Sequence, residues 1–209
     1  MSKETRKKTS KQASAARSRT TPKSSTKLSA SKAGAAAARP ATKTAKAAAA
    51  PAPKGTVLVE GQAAPAFDLP RDGGQRLSLH DYAGRNLVLF FYPRADTPGC
   101  TREAMDFSRL TKAFATLGTD VVGVSGDSVK AQDSFKNKHK LETPLVSDEQ
   151  KEMLAAYGAW GEKSMYGRSF PGILRTTVLI DGKGKIRRIW RHVKVDGHAE
   201  TVLEAVRAL

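Results

Sequence analysis

The chain of 209 residues is long enough for one domain with a substantial core and something left over, and its formal net charge is +16. No apolar run approaches the ~18 residues of a membrane span, and the N-terminus is read as lacking the apolar stretch of a secretory signal. The single cysteine, Cys100, excludes an internal disulfide framework and any Cys-x-x-Cys pair, and the four histidines (His80, His139, His192, His198) show no metal-ligand spacing. No metal and no cofactor is expected, and a thiol without partners suits a reducing compartment.

Residues 1–56 are expected to form a disordered basic tail, and 57–209 the folded domain. Residues 1–54 carry 14 Lys or Arg against one acid, Glu4, a net charge of +13; the other 155 residues carry 22 basic and 19 acidic side chains, a net of +3. Before Val57 the only large apolar side chains are Met1 and Leu28. Such a segment cannot bury enough apolar surface to offset its ordering entropy. Its cations can replace counterions on phosphate, so sequence-independent, salt-sensitive DNA binding through residues 1–54 is one reading. Arg39–Lys54 resembles in composition the Lys/Ala/Pro tails of linker histones and bacterial histone-like proteins. The other readings are a solvating tail and an organellar transit peptide. Lys outnumbers Arg and no amphipathic period is visible, which counts against the transit peptide.

From Val57 onward, strands and helices alternate. Gly61–Leu69 reads as a turn and a short edge strand, and Leu77–Leu79 as a second extended piece. Leu87–Tyr92 is a continuous apolar run, the mark of a strand buried on both faces, and Pro93 stops it. A helix is predicted from Cys100 to Leu117, with Ala104, Phe107, Leu110, Phe114 and Leu117 on one face. Asp120–Ser125 is the next buried strand, and Ser128 caps a helix to His139. Pro144–Ser147 is a strand, and Asp148 is expected to cap a helix to Tyr157. Thr176–Ile180 and Ile186–Trp190 form a hairpin, and the last helix runs from His198 to Leu209. This order predicts an α/β fold, a mixed sheet with helices on both faces.

Between the central strand and the long helix lies Pro93-Arg-Ala-Asp-Thr97-Pro-Gly-Cys100. Unpaired cysteines are most often small buried hydrophobes. On the first turn of a helix, however, free backbone N–H groups and the positive end of the dipole favour a thiolate. Thr97, three residues earlier, can fold its hydroxyl back beside the sulfur, and Pro93 is placed to cover the pocket. The pattern Pro-x-x-x-Thr-x-x-Cys resembles the active-site signature of peroxiredoxins. Its longer form, Phe91-Tyr-Pro…Thr97-Pro-Gly-Cys-Thr101, resembles the peroxiredoxin Q or bacterioferritin-comigratory-protein branch. Gly61–Leu69, Gly123–Ser125, Trp160–Gly167 and Gly172–Asp181 are similar to the same branch, so the likeness covers nearly all of the core.

The resemblance implies a thioredoxin-like fold and a thiol peroxidase acting on hydrogen peroxide and organic hydroperoxides, with Cys100 oxidised to a sulfenic acid. It also places Arg175 at the family's active-site arginine. An unperturbed thiol of pKa ~8.5 is only ~3% ionised at pH 7, so full ionisation gains at most ~30-fold. Because a lower pKa also weakens the nucleophile, the remaining acceleration has to come from transition-state stabilisation. Thr97 Oγ, the Arg175 guanidinium and the backbone N–H of Gly99 or Cys100 are the donors assigned to it.

Many members of this branch carry a second cysteine five residues after the first. That position is Met105, expected to be a core-facing or half-buried helix filler. The sulfenic acid must then pass to an external thiol (thioredoxin, glutaredoxin, glutathione or another small thiol) or to a second Cys100, a one-cysteine mechanism. Two other functions use the same fold: a nucleoid or chromatin protein keeping it as a scaffold, and a redox sensor passing oxidation to a partner. A scaffold needs none of Pro93, Thr97, Cys100 and Arg175. A monomer or weak dimer without membrane attachment is expected, in the cytoplasm or nucleoid of a bacterium or the nucleus of a eukaryote.

Overall fold

The structure, a computed structural model, describes residues 58–165 and 168–209. The tail expected over 1–56, its nucleic-acid contacts, and Tyr166 and Gly167 of the Trp160–Gly167 motif lie outside the described residues.

Two short strands, β1 (Asp68–Pro70) and β2 (Arg76–Ser78), pair antiparallel as a small separate sheet. The apolar run becomes β3 (Asn86–Phe91), followed by α1 (Pro98–Thr116) and β4 (Thr119–Ser125). Next come α2 (Val129–His139), β5 (Leu145–Ser147) and α3 (Glu152–Ala156). A hairpin of β6 (Trp160–Met165) and β7 (Arg168–Ile173) follows, then β8 (Thr176–Ile180), β9 (Ile186–Arg191) and α4 (His198–Arg207). The main sheet has the order β5-β4-β3-β8-β9. β3 lies at its centre, parallel to β4 and antiparallel to β8.

The central position explains why β3 is apolar on both sides. Val88, Phe90 and Tyr92 pack with Phe107 and Phe114 of α1, Phe135 of α2, and Val202 and Val206 of α4. Leu87, Leu89 and Phe91 face the opposite way, toward Leu154 of α3, Phe67, Leu77 and Ile173. Helices therefore cover both faces of a mixed sheet, as the alternation predicts. Among the described residues, no helix is long and apolar enough to cross a membrane.

Local chemistry sets the ends of the helices. α1 opens two residues earlier than the sequence suggests, with Pro98 at its first position, where its missing N–H and fixed φ cost nothing. Ser128 caps α2 as expected, accepting from the Ala131 amide at 3.4 Å. The helix expected to follow Asp148 directly and run to Tyr157 is shorter. Lys151 takes a left-handed φ of 62°, so the helix begins only at Glu152. Asp148 still caps it, from outside, by accepting from the amides of Glu152 (3.1 Å) and Leu154 (2.7 Å). The hairpin of β6 and β7 had no counterpart in the predicted elements.

Gly123 of β4 sits against the densest part of this core. A Cβ there would lie 2.7 Å from Phe90 Cζ and 2.8 Å from Leu145 Cδ2. Both rings and branches are held in fully buried positions, so neither can yield cheaply. Gly123→Ala is expected to lower stability by about 1–3 kcal/mol in urea denaturation; an unchanged midpoint would show that the β3–β4 contact is loosely packed.

Candidate active site

The register of the central strands brings two distant parts of the chain together. Phe91, the last residue of β3, pairs with Thr176, the first of β8. The turn leaving β3 and the residue preceding β8 therefore emerge at the same edge. That residue is Arg175. Its backbone is held by a bond from the Val193 amide to its carbonyl (3.1 Å), and the neighbouring Leu174 amide donates to Ala159 O (2.7 Å). On the other side, Ala104, Phe107 and Phe114 fix α1 against the sheet and carry Cys100, its third residue, into a site where it is 2% exposed.

There the two meet. Arg175 Nη2 donates to Cys100 Sγ at 3.3 Å. Its Nη1 makes an ion pair with Glu103 Oε2, one helical turn beyond the cysteine. The guanidinium thus bridges a carboxylate and a sulfur carried by the same helix. Gly99 lies directly beneath it: a Cβ at that position would be 3.6 Å from Nη2. The Thr101 amide closes the first backbone bond of α1, to Thr97 O (2.8 Å), and the amides of Gly99 and Cys100 precede it at the positive end of the helix.

The other expected site residues fall nearby, with two differences. Pro93 is half-buried at the start of the turn. Thr97 is the N-cap of α1, but its hydroxyl donates to Arg94 O at 3.0 Å instead of lying against the sulfur. Thr97 has an extended backbone (φ −96°, ψ 151°), and its χ1 rotamer turns the hydroxyl back toward the loop that precedes it. Met105 is not core-facing: it is 48% exposed, on the solvent side of α1. It lines a shallow cleft of about 440 Å³ with Asp96, Pro98, Thr101, Arg102, Asp106 and His139. Neither Cys100 nor Arg175 borders that cleft.

Burial governs the charges. Arg175 is 16% exposed; desolvation works against its cation, but Glu103 and then Cys100 outweigh it and its pKa is raised. Glu103 is 1% exposed, and burial pushes its carboxyl up to about 7 despite the opposing pull of Arg175. Its Oε1 has no hydrogen-bond partner among the described residues, so a proton there displaces no existing bond. Lys163 of β6 is held below its ordinary range, first by burial and then by Arg175, while Cys100 acts in the opposite direction.

Glu103 and Lys163 were not among the residues singled out from the sequence. Glu103 carried a signal: it stands three residues after Cys100 and four before Phe107, on the apolar stripe of α1, where an acid must find a partner. Lys163 carried none, because nothing in the Trp160–Gly167 run indicates which way its side chains turn.

The raised pKa of Glu103 has a definite sign in stability. Its carboxyl holds a proton more tightly folded than unfolded, so its contribution is full below the ordinary value of 4.5 and is lost as pH rises through about 7. Compared with Glu103→Gln, the wild type is expected to lose melting temperature progressively across that window. A melting-temperature difference that stays flat with pH would mean that Arg175 keeps Glu103 fully ionised.

The AhpC/TSA family model matches residues 60–189. The chain is 44% identical to peroxiredoxin Bcp of Xanthomonas campestris over 147 residues, covering 69% of this chain and 92% of that one. It is 40% identical to peroxiredoxin Bcp of Bacillus subtilis over 147 residues, 70% and 94% of the two chains. Among solved structures it resembles the X. campestris bacterioferritin comigratory protein studied for its alkyl peroxide reduction activity, with a TM-score of 0.65 and 42% identity over 68% of this chain and 90% of that one. A mutant of Xylella fastidiosa PrxQ superposes with a TM-score of 0.70 and 39% identity over 74% and 98%. The fold is the thioredoxin-like α/β arrangement that the sequence resemblance implied. The chain belongs to the AhpC/TSA family, in its Bcp and peroxiredoxin Q branch.

Proposed function

We propose that the protein is a thiol peroxidase in which Cys100 reduces hydrogen peroxide and organic hydroperoxides by a one-cysteine mechanism. The observation that carries this reading is the Arg175 guanidinium, 3.3 Å from Cys100 Sγ and anchored on its other side by Glu103. The thiolate attacks the protonated oxygen of the hydroperoxide; an S–O bond forms as the O–O bond breaks, and the departing alkoxide or hydroxide takes up a proton. Sulfur is oxidised to the sulfenic acid and the peroxide is reduced to an alcohol or water.

Negative charge moves from sulfur to the departing oxygen during this step, so donors that reach both atoms stabilise the transition state. Arg175 already touches the sulfur, and its planar fork has further N–H groups to offer the incoming oxygens. The amides of Gly99 and Cys100 supply donors that the helix leaves unused. Thr97 contributes once its hydroxyl turns from Arg94 O toward the peroxide. Pro93 shields the turn from water. An external thiol then attacks the sulfenic sulfur with loss of water, and a second thiol releases Cys100. Thioredoxin, glutaredoxin, glutathione or another small thiol meets this requirement.

Cys100→Ser is expected to abolish thiol-dependent peroxide consumption. Thr97→Val and Arg175→Ala are each expected to lower kcat/KM about 10²–10³-fold, the scale of a lost transition-state donor, at a pH where the thiol is fully ionised. Near wild-type turnover in both would refute their assignment. For the N-terminal segment, the charge of +13 over residues 1–54 favours DNA as a sequence-independent partner, which would place peroxide removal near nucleic acid. Affinity for duplex DNA should fall steeply with salt and disappear when residues 1–54 are deleted. Equal binding by the shortened chain would exclude the segment as the contact.

A further inference from the structure

The turn from Pro93 to Thr97 carries the hydroxyl and leads into the amides proposed to meet the peroxide, yet it belongs to neither β3 nor α1. Side chains hold it in place from two directions. Asp127, in the connection between β4 and α2, accepts the Ala95 amide on Oδ2 at 2.7 Å. The same oxygen accepts from Ser125 Oγ, also at 2.7 Å. Ser125 Oγ in turn accepts from Gln132 Nε2 at 2.8 Å and from the Asp127 amide at 3.2 Å. Gln132, fully buried, also donates to Val146 O at 3.1 Å and accepts from the Tyr92 hydroxyl. This chain of bonds ties the turn to Tyr92, just past the end of β3, and to β4, α2 and β5.

The second anchor is Asp96. Its φ of 59° lies in the left-handed region, which a non-glycine residue occupies at a cost unless neighbours hold it there. Lys138 Nζ and His139 Nε2, at the end of α2, meet its carboxylate at 2.6 and 2.7 Å. The Asp96 side chain is 44% exposed, and ion pairs in that setting are weak. The Asp127 anchor differs in kind, because it leads into a buried and mutually satisfied network.

Building on the peroxidase reading, we propose that Asp127 is a positioning residue for peroxide reduction. By accepting the Ala95 N–H, it fixes the height at which Thr97 and the first turn of α1 present their donors to the site opposite Arg175. Arg175 has a backbone support outside α1, the Val193 amide, so it does not depend on the turn that Asp127 holds. A misplacement of the order of 1 Å costs about 100-fold in an aligned reaction. Because one carboxylate oxygen takes both bonds, an asparagine can reproduce them.

The test uses the full chain: kcat/KM for hydrogen peroxide and the rate of Cys100 alkylation by iodoacetamide at pH 7, in wild type, Asp127→Ala, Asp127→Asn and Asp96→Ala. Asp127→Ala is expected to lose about 10–100-fold in kcat/KM while its alkylation rate stays within about 3-fold of wild type; Asp127→Asn and Asp96→Ala are expected to remain within about 3-fold in both. Wild-type turnover in Asp127→Ala overturns the proposal, as does an equal loss in turnover and alkylation, or a loss in Asp127→Asn as large as in Asp127→Ala. If Asp127→Ala does not fold, Ser125→Ala decides, since it frees the carboxylate without removing it: slowed turnover with unchanged alkylation supports the proposal and wild-type turnover overturns it. A wild-type chain that consumes no peroxide defeats the peroxidase reading itself, whereas an active wild type with an unaffected Asp127→Ala defeats only the role of Asp127.

Discussion

The structure depends at its functional end on one shared cation. Arg175 is mostly buried, and a guanidinium so placed is tolerable only if its N–H groups are satisfied and its charge is met. Glu103 meets it on one side and Cys100 on the other. The arrangement works in both directions: the carboxylate orients the fork, and the fork is left with a fixed N–H aimed at sulfur. Lysine could supply the charge but not two divergent donors in one plane.

The fold exists, in this light, to make that meeting rigid. Cys100 and Arg175 are 75 residues apart in the chain. They converge because β3 and β8 are adjacent, and because their register ends one strand where the other begins. α1 is held against the sheet by aromatic packing, with Phe90 and Phe107 stacked at 4.6 Å two turns beyond its start. Between β3 and α1 the chain has no regular structure, and there Asp127, tied to a buried network, holds the turn, while the exposed Asp96 pairs add little.

Much of this was legible in the residues, for identifiable reasons. Leu87–Tyr92 could be read as the central strand because only a strand covered on both faces is apolar throughout. The thiol's place on a helix start followed from Pro93, Pro98 and Gly99 standing between a strand and a periodic helix. The hairpin of β6 and β7 was not legible: Gly161, Pro171 and Gly172 interrupt any alternation, and a proline is tolerated there because the sheet has only two strands. Glu103, an acid on the apolar stripe of α1, called for a partner that spacing alone does not name, and Met105, outside that stripe, lies on the more exposed side of the helix at 48% exposure. The hydroxyl direction of Thr97 is a rotamer choice, which spacing does not encode.

The central claim is that Cys100 owes its reactivity to donors fixed around it and not to ionisation alone. The direct measurement is the second-order rate constant for oxidation of Cys100 in the wild-type chain by hydrogen peroxide near pH 7, followed by trapping of the sulfenic acid at that residue. A rate exceeding that of free cysteine by orders of magnitude, well above the ~30-fold that complete ionisation can supply, is the expected result. A rate within ~30-fold of free cysteine, or no trapped adduct at Cys100, would contradict it.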